Sequence, residues 1–431
     1  MQVTVESGEG LARQMKVELS PEQIEQEIDK RLRDVARSAR LPGFRPGKVP
    51  MRVLRQRFGD SVRNEVFGEL VKSSFAEAIE SQGLRPAGMP QIEADIDQAD
   101  GRYGYTASFE ILPRIELQGI AGKTIKRPVA EVTDVDLERM VERLREQRKT
   151  WVAVERPAAN GDRITVSYQG TLDGEPFPGS KGEHRQLELG AGRMLPGFED
   201  QLIGAAAGEE RVVEVTFPED YHSRSLAGRS AQFTVQIEEV AEPMVPEVND
   251  EFVRAYGIDD GDLERFRTDV RNNMNRELKQ RIEARLKNQV MDALLEANPL
   301  DLPAVLVGEE IQALKAQTRQ AAGGGSFELP DELFADSAKK RVALGLIIAE
   351  AVKRHDLSPD QERVRARIEE MAATYETPRA VVDYYYSDQQ RLASVQSLVL
   401  EEMVVERMLE EADVQDEPTS FSALTDSAEA G

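Results

Sequence analysis

A loop at residues 43–50 carries the side chains best suited to contact a phosphate-bearing surface. It reads GFRPGKVP, and its Gly and Pro residues break both helix and strand, so we predict a stiff, exposed tip. Phe44 would point outward beside Arg45 and Lys48. Such a ring between two cations suits docking on RNA and protein, because the charges attract phosphate and the ring adds apolar contact. Without further evidence, an ordinary turn is the alternative.

The charge around this loop differs from that of the whole chain. The 431 residues carry a net charge of −24, but residues 30–57 hold ten basic side chains and one acid, Asp34. Residues 1–149 contain 25 basic and 25 acidic side chains, whereas 246–431 contain 22 and 38. A basic block in an acidic chain indicates a phosphate-bearing partner, although a solvated helix face is the alternative.

Several kinds of chemistry are excluded by composition. The chain has no Cys, which removes disulfides, thiolate catalysis and Cys-based zinc sites. Three scattered His residues leave little material for a metal centre, and there is no phosphate-binding glycine loop, so no cofactor, metal or ATP cycle is expected. We see neither a signal peptide nor a spanning apolar segment, so we expect a cytoplasmic protein with no membrane contact.

The elements that must position these residues fall into groups. Strands at 3–7, 12–19, 89–97 and 103–112 surround helices from Pro21 to about Ala39, around Met51 and from Ser61 to Ser81, which predicts an α+β domain. A charged helix over 133–149 reads as a linker or spacer. Four short strands between 162 and 240, separated by Gly- and Pro-rich turns, predict a small antiparallel sheet.

The remainder from about residue 246 is predicted to be helical. Apolar residues recur mainly every four positions from Leu263 to Leu294. A step of four residues turns about 400°, so this stripe drifts around the helix, and we expect the helix to meet several partners in turn. Further helices are expected from Pro303 and near 331–355, 359–375 and 388–412. The acidic tail from Asp413 is expected to be disordered.

The loop resembles the ribosome-docking signature of the bacterial trigger factor family, GFRxGKxP. The matching residues are Gly43, Phe44, Arg45, Gly47, Lys48 and Pro50. The resemblance implies that these six residues bind the large ribosomal subunit near the exit tunnel, where they would contact ribosomal protein and RNA.

Four segments of the middle region resemble the motifs of FKBP-type prolyl isomerases: VSYQGTLDGEPF at 166–177, LG followed by MLPGFE within 189–199, FPEDY at 217–221, and FTV at 233–235. The resemblance implies that a proline pocket is lined by Tyr168, Phe177, Met194, Leu195, Phe198, Tyr221 and Phe233. Without the family, the same seven residues could be the core of a small barrel.

This pocket would act without a nucleophile. Rotation about an X–Pro bond breaks amide resonance, at a barrier of about 18–20 kcal/mol, and an apolar cleft disfavours the planar ground state relative to the twisted transition state. The Tyr221 hydroxyl is our candidate donor to a substrate carbonyl, and His222 is not needed as a base. Many stand-alone members have Trp where this chain has Phe198 and Asp where it has Pro178, so no role is expected for that carboxylate.

The order of segments resembles trigger factor along the whole chain. We therefore expect a multidomain α+β protein: a ribosome-binding α+β domain (1–112), a linker with a helix (113–150), an FKBP-like antiparallel β domain with a short helix (151–245), an all-α chaperone domain (246–412) and an acidic tail (413–431). The resemblance implies an ATP-independent chaperone and FKBP-type peptidyl-prolyl isomerase that binds nascent and unfolded polypeptides, assists folding and export, and forms a homodimer off the ribosome.

Two other functions remain open at this point. The chain could be a free-standing prolyl isomerase whose helices only form a dimer, or an RNA-binding adaptor with an inactive barrel. Ribosome binding distinguishes the first from our interpretation, and isomerase activity distinguishes the second.

Overall fold

The computed structural model describes residues 2–38, 44, 49–97, 102–221, 223–325, 329–373, 375 and 377–425. Its contacts divide the chain into two compact units that are interleaved in sequence. Unit 1 combines Met1–Arg127 with Ala284–Glu417, and unit 2 combines Pro128–Glu283 with Pro418–Gly431. In the sequence, most of unit 2 therefore lies between the two parts of unit 1.

An antiparallel sheet and two helices form the N-terminal part of unit 1. In the order β1-β2-β4-β3, the strands are β1 (Gln2–Ser7), β2 (Ala12–Leu19), β3 (Gln91–Asp97) and β4 (Arg102–Glu110). Helices α1 (Pro21–Ser38) and α2 (Met51–Gln82) lie between β2 and β3 in sequence. Helix α1 buries Ile24, Ile28 and Leu32, which share one face because they are four residues apart. The predicted α+β fold of this region is confirmed.

Helix α2 is longer than the sequence indicated. We predicted helical segments around Met51 and from Ser61, but one helix of 32 residues runs through Gly59. Leu54 and Val62 are buried on either side of this glycine in the same core, so packing outweighs its weak helix propensity. The helix ends at Gly83, whose φ of 60° lets the last carbonyls accept backbone hydrogen bonds.

Between Ala304 and Glu411, the C-terminal part of unit 1 is helical, as predicted. They are α7 (Ala304–Ala321), α8 (Glu332–Arg354), α9 (Gln361–Ala372), α10 (Pro378–Tyr386) and α11 (Gln389–Glu411). Helix α10 was not predicted as a separate element, because it holds only nine residues and none of them is buried.

Helix α6 (Leu263–Ala297) runs from unit 2 into unit 1. Its residues from Phe266 to Ile282 pack in one apolar cluster, which lies within unit 2. Its residues from Leu286 to Leu294 pack in another cluster, which lies within unit 1. The drift of the apolar stripe therefore predicted correctly that this helix meets different partners along its length.

A five-stranded antiparallel sheet forms the centre of unit 2. Its strands are β6 (Thr150–Ala153), β7 (Arg163–Thr171), β8 (Lys181–Glu188), β9 (Glu210–Thr216) and β10 (Ser230–Met244). The order is β6-β10-β7-β8. Strand β9 pairs with the first half of β10, on the edge opposite β7. A short helix, α4 (Phe198–Leu202), packs beside β9. The predicted small antiparallel sheet with a short helix is confirmed.

The segment expected to be a linker or spacer is packed instead. Helix α3 (Asp134–Gln147) begins with a capping box, in which Thr133 and Asp136 each accept from the other's backbone N–H. Its Leu137 and Val141 are buried in the same cluster as Phe252 of the short helix α5 (Asp250–Arg254), within unit 2. The apolar side of this helix, which includes Val141, is therefore packed in a core, and the interpretation as a linker or spacer was wrong.

The tail from Asp413 was expected to be disordered, but it forms a strand and a short helix between Asp413 and Thr425, and residues 426–431 lie outside the described residues. Strand β11 (Asp413–Pro418) pairs with β5 (Thr124–Val129), and Arg127 Nε donates to Asp416 Oδ1 over 2.6 Å. Helix α12 (Phe421–Thr425) then buries Phe421 and Leu424. Strand pairing and these two apolar residues outweigh the acidic composition on which the prediction rested. Within the described residues, no helix has the length and apolar character needed to cross a bilayer.

Candidate functional site

One cleft in unit 2 is lined by all seven side chains that the isomerase resemblance assigned to a proline pocket. Its volume is about 1110 Å³. The seven are Tyr168, Phe177, Met194, Leu195, Phe198, Tyr221 and Phe233. Leu172, Phe217 and Leu226 add further apolar wall. Folding therefore gathers residues from separate segments between 168 and 233 around one space.

The rings of the cleft pack edge to face around Phe233. The centroid of its ring lies 5.5 Å from that of Phe198 and 6.0 Å from those of Tyr168 and Phe177. The interplanar angles are 83°, 69° and 88°, which is the arrangement that aromatic quadrupoles favour. Each contact restrains the other rings, so the aromatic wall is preorganised.

The sheet and two tight turns place these rings. Tyr168 on β7 and Phe233 on β10 come from neighbouring antiparallel strands. Phe177 lies after β7, where its N–H donates to the Oγ of the buried Ser180 over 3.3 Å. Phe198 opens α4 directly after Gly197, whose φ of 79° is readily adopted only by glycine.

Glu199 is a residue of the site that the sequence analysis did not single out. Its side chain is only 6% exposed, and its carboxylate accepts four backbone hydrogen bonds. Oε2 accepts from Gly190 and Gly192 at 2.9 and 3.0 Å, and Oε1 accepts from Arg193 and Met194 at 2.9 and 3.0 Å. The carboxylate thus holds the loop that carries Met194 and Leu195 into the cleft.

The charge state of Glu199 follows from these contacts. Burial alone would raise its pKa, and it is the largest single influence. The four N–H donors act together in the opposite direction and hold the pKa below the usual range of a glutamate. The one indication of this role in the sequence is the position of Glu199 directly after Phe198 in the second motif. A charged residue is usually exposed to solvent, so its buried contacts could not be predicted there.

The floor and rim of the cleft differ in polarity. Phe198 is 1% exposed and forms an apolar floor. Pro178 lines the rim, so no carboxylate reaches the cleft from that position. Arg229 and Asp173 form an ion pair on the rim. A peptide would therefore meet charge at the entrance and rings at the bottom.

Among the seven predicted residues, Tyr221 is the one whose hydroxyl we expected to contact substrate. Its ring packs against Phe217 with centroids 4.8 Å apart, and it lines the cleft. A phenol can donate its O–H to a carbonyl, so this placement suits the expected contact. His222 lies outside the described residues, and the described residues contain no group of three side chains that could hold a metal ion.

Of the six predicted docking residues, Phe44 and Pro50 are described. Phe44 is 41% exposed, which agrees with an outward-facing ring, and Pro50 is the N-cap residue of α2. Gly43, Arg45, Gly47 and Lys48 lie outside the described residues.

The flanking helices neutralise part of the basic block internally. Arg55 on α2 donates to Asp29 over 2.6 Å and to Glu25 over 3.1 Å on α1, and Arg31 pairs with Glu65. Arg33, Arg52 and Arg57 are exposed, and they carry no ion pair to the part of the chain that the structure describes. The charge available to a partner is therefore smaller than the count over 30–57 indicated.

Comparisons with known proteins match the same regions. The family models for the bacterial trigger factor N-terminus, the FKBP-type peptidyl-prolyl cis-trans isomerase and the trigger factor C-terminus match residues 1–144, 154–238 and 262–410. The chain is similar to trigger factor of Ectopseudomonas mendocina (strain ymp), with 48% identity over all of this chain and 99% of that protein. It is also similar to trigger factor of Pseudomonas putida (strain GB-1), with 47% identity over the same shares.

A solved structure has the same fold. This structure, of a trigger factor chaperone described for promiscuous substrate recognition, superposes with a TM-score of 0.51 and 20% identity, and covers 95% of this chain and 100% of its own. At that identity the likeness concerns the fold alone. Together with the full-length similarity to the Pseudomonas-type proteins, these matches show that the chain belongs to the bacterial trigger factor family and contains an FKBP-type peptidyl-prolyl isomerase domain.

Proposed function

We propose that this protein docks beside the exit tunnel of the large ribosomal subunit, binds nascent polypeptides without ATP, and isomerises their X–Pro bonds in the cleft of unit 2. Its family makes it a ribosome-associated chaperone with prolyl isomerase activity. The observation that carries the assignment of the site is that all seven expected side chains line one cleft inside the region that matches the isomerase model.

The cleft would accelerate isomerisation by changing the environment of the amide. A planar X–Pro amide has more charge separation than the twisted transition state, so transfer into a cleft walled by Phe198, Phe233 and Tyr168 destabilises the ground state relative to the transition state. Each 1.4 kcal/mol of this difference is worth about tenfold in rate. The Tyr221 hydroxyl would orient the substrate by donating to a carbonyl next to the proline.

Docking would use the loop at 43–50 and the helices beside it. The exposed ring of Phe44 would supply apolar contact with ribosomal protein, and Arg45 and Lys48 would contact RNA phosphates. Arg33, Arg52 and Arg57 support this proposal, because they are exposed, form no ion pair with any described residue, and carry guanidinium groups that attract phosphate.

The domain division remains part of the proposal. We assign ribosome binding to residues 1–112, isomerisation to 151–245 and holding of unfolded chains to 246–412. We also propose that the protein acts in the cytoplasm without a membrane partner, assists folding and export, and forms a homodimer off the ribosome.

Ribosome co-sedimentation tests the docking assignment. We expect a Phe44→Ala/Arg45→Ala/Lys48→Ala variant to lose most of its association with vacant ribosomes, since it removes the ring and two cations together. A matched control is Tyr375→Ala/Arg379→Ala/Lys339→Ala, which removes an exposed ring and two cations from the helical region. Undiminished association of the loop variant would refute the assignment and favour a free-standing isomerase.

Isomerisation of a proline-containing peptide tests the cleft. We expect Phe198→Ala to reduce kcat/KM at least tenfold, because it removes the floor. We expect Tyr221→Phe to reduce it about two- to tenfold, the value of one hydrogen bond of about 0.5–1.5 kcal/mol. Val212→Ala, on the exposed side of β9, is the control. If both cleft variants keep the wild-type rate, the pocket assignment is wrong. A wild-type protein without isomerase activity would instead favour an RNA-binding adaptor with an inactive barrel.

A further inference from the structure

Two cross-strand pairs in the isomerase sheet each join a glycine to a ring of the cleft. Gly182 on β8 is the direct partner of Tyr168 on β7. Gly170 on β7 is the direct partner of Phe233 on β10. Cross-strand partners have adjacent side chains, so a glycine leaves space into which the partner's ring can extend.

Both rings occupy that space. A Cβ atom at residue 170 would lie 2.5 Å from Cε1 and 2.8 Å from Cδ1 of Phe233. A Cβ atom at residue 182 would lie 2.6 Å from Cζ and 2.8 Å from the hydroxyl oxygen of Tyr168. Neither glycine has a left-handed φ, so each is required for space and not for backbone conformation.

In both pairs the ring extends over the neighbouring strand, in the same direction across the sheet. Because β7 lies between β10 and β8, Phe233 extends over β7 and Tyr168 extends over β8. The two ring centroids stay 6.0 Å apart, and Phe198 packs against both. Neither ring can retreat freely from an added methyl group, since other rings of the cleft already hold it in place.

We propose that Gly170 and Gly182 are positioning residues of the isomerase, which set the tilt of Phe233 and Tyr168 and thereby the shape of the cleft. The inference rests on the proposed function, in which these two rings contact the prolyl group. A methyl at either glycine would push its partner ring into the cleft, so peptide binding and turnover would both change, and KM would rise more than kcat falls.

Double-variant cycles on the full-length protein test this proposal, with kcat/KM for a proline-containing peptide as the readout. We expect Gly170→Ala and Gly182→Ala each to reduce kcat/KM at least tenfold. In a Phe233→Leu background, Gly170→Ala should have little further effect, because leucine lacks the ring atoms nearest the new methyl. Gly182→Ala in a Tyr168→Leu background should behave in the same way.

The crossed combinations are the matched controls. Gly170→Ala with Tyr168→Leu, and Gly182→Ala with Phe233→Leu, should keep a clearly larger share of the alanine effect than the matched pairs. In these pairs the new methyl still meets its own partner ring, and the contact between the two rings gives only part of the coupling. Gly308→Ala, a helical glycine whose Cβ would meet open space, should leave kcat/KM unchanged.

Three results would decide the matter. Alanine variants with wild-type kcat/KM, or equal coupling in matched and crossed pairs, would overturn the positioning role. If an alanine variant fails to fold, recovery of the fold by its matched leucine variant supports the proposal, and failure to recover overturns it. If Phe233→Leu and Tyr168→Leu alone leave the rate unchanged, the assignment of the cleft fails, and the positioning role falls with it.

Discussion

Replacing Glu199 by glutamine tests how the cleft is held together. The side chain keeps its size, but a carboxylate that accepts four backbone N–H groups becomes an amide with a single acceptor oxygen. Two of the four donors would then face an NH₂ group, which is itself a donor. The substitution therefore removes two charge-assisted hydrogen bonds and opposes donors to donors at the loop that carries Met194.

The expected loss in the free energy of unfolding follows from the number of hydrogen bonds removed. Hydrogen bonds to charged groups contribute about 1.5–3 kcal/mol each, so two of them give about 3–6 kcal/mol. Residues 190–193 are exposed, and their freed N–H groups could turn toward water, so we expect the lower end, about 3 kcal/mol. If the whole of that amount is lost from the active conformation of the loop, kcat/KM should fall by up to about 100-fold, at about 1.4 kcal/mol per tenfold.

The pH dependence has a definite sign. Because the pKa of Glu199 is lowered in the folded protein, its contribution to stability is present above the ordinary glutamate range, and it is lost as pH falls through the lowered pKa. The difference in unfolding free energy between the wild type and Glu199→Gln should be largest near neutral pH and should shrink below about pH 4.

The assay combines peptide isomerisation with chemical unfolding followed by circular dichroism across that pH range. Asp200→Asn is the matched control, since this neighbouring carboxylate is exposed on the same helix and makes no hydrogen bond within the described residues. Equal isomerase activity and equal stability of Glu199→Gln and the control at neutral pH would refute the reasoning.

Three further substitutions test contacts away from the cleft. Asp162→Asn should lower the free energy of unfolding, measured by chemical unfolding, by about 1.5–3 kcal/mol, because this 2%-exposed carboxylate accepts from the Arg156 guanidinium through both oxygens, whereas Arg156 stays partly exposed and keeps its pair with Glu242. Thr133→Ala should lower the free energy of unfolding by about 1 kcal/mol in the same measurement, since it removes the capping box of α3. Asn298→Ala should increase hydrogen exchange at the Gln118 amide, which donates to the Asn298 side chain over 2.6 Å; unchanged protection of that amide would contradict this role.

The sequence predicted well the features that depend on local patterns. The drifting stripe of α6 indicated a helix with successive partners, because its period is a property of neighbouring residues. The side chains that line the cleft could be named from the sequence, because their motifs keep a fixed order along the chain.

Features that depend on distant partners were missed. Neither Glu199, whose role requires four specific N–H groups, nor Arg55, whose charge is balanced by Asp29 of another helix, can be assigned from composition. The tail was misjudged for the same reason: Phe421 and Leu424 are two apolar residues in an acidic segment, and only the cluster they join makes them buried.

The pairing of β5 with β11 has a consequence for synthesis of the protein. Arg127 and Asp416, which bond across this pair, are 289 positions apart. At about 5–20 residues per second, translation leaves β5 without its partner for about 15–60 s, whereas the isomerase sheet is complete once Met244 has emerged. Until Asp416 is made, the chain presents an open strand edge of the kind that invites aggregation. During its own translation this chaperone is therefore a vulnerable polypeptide that could itself need shielding.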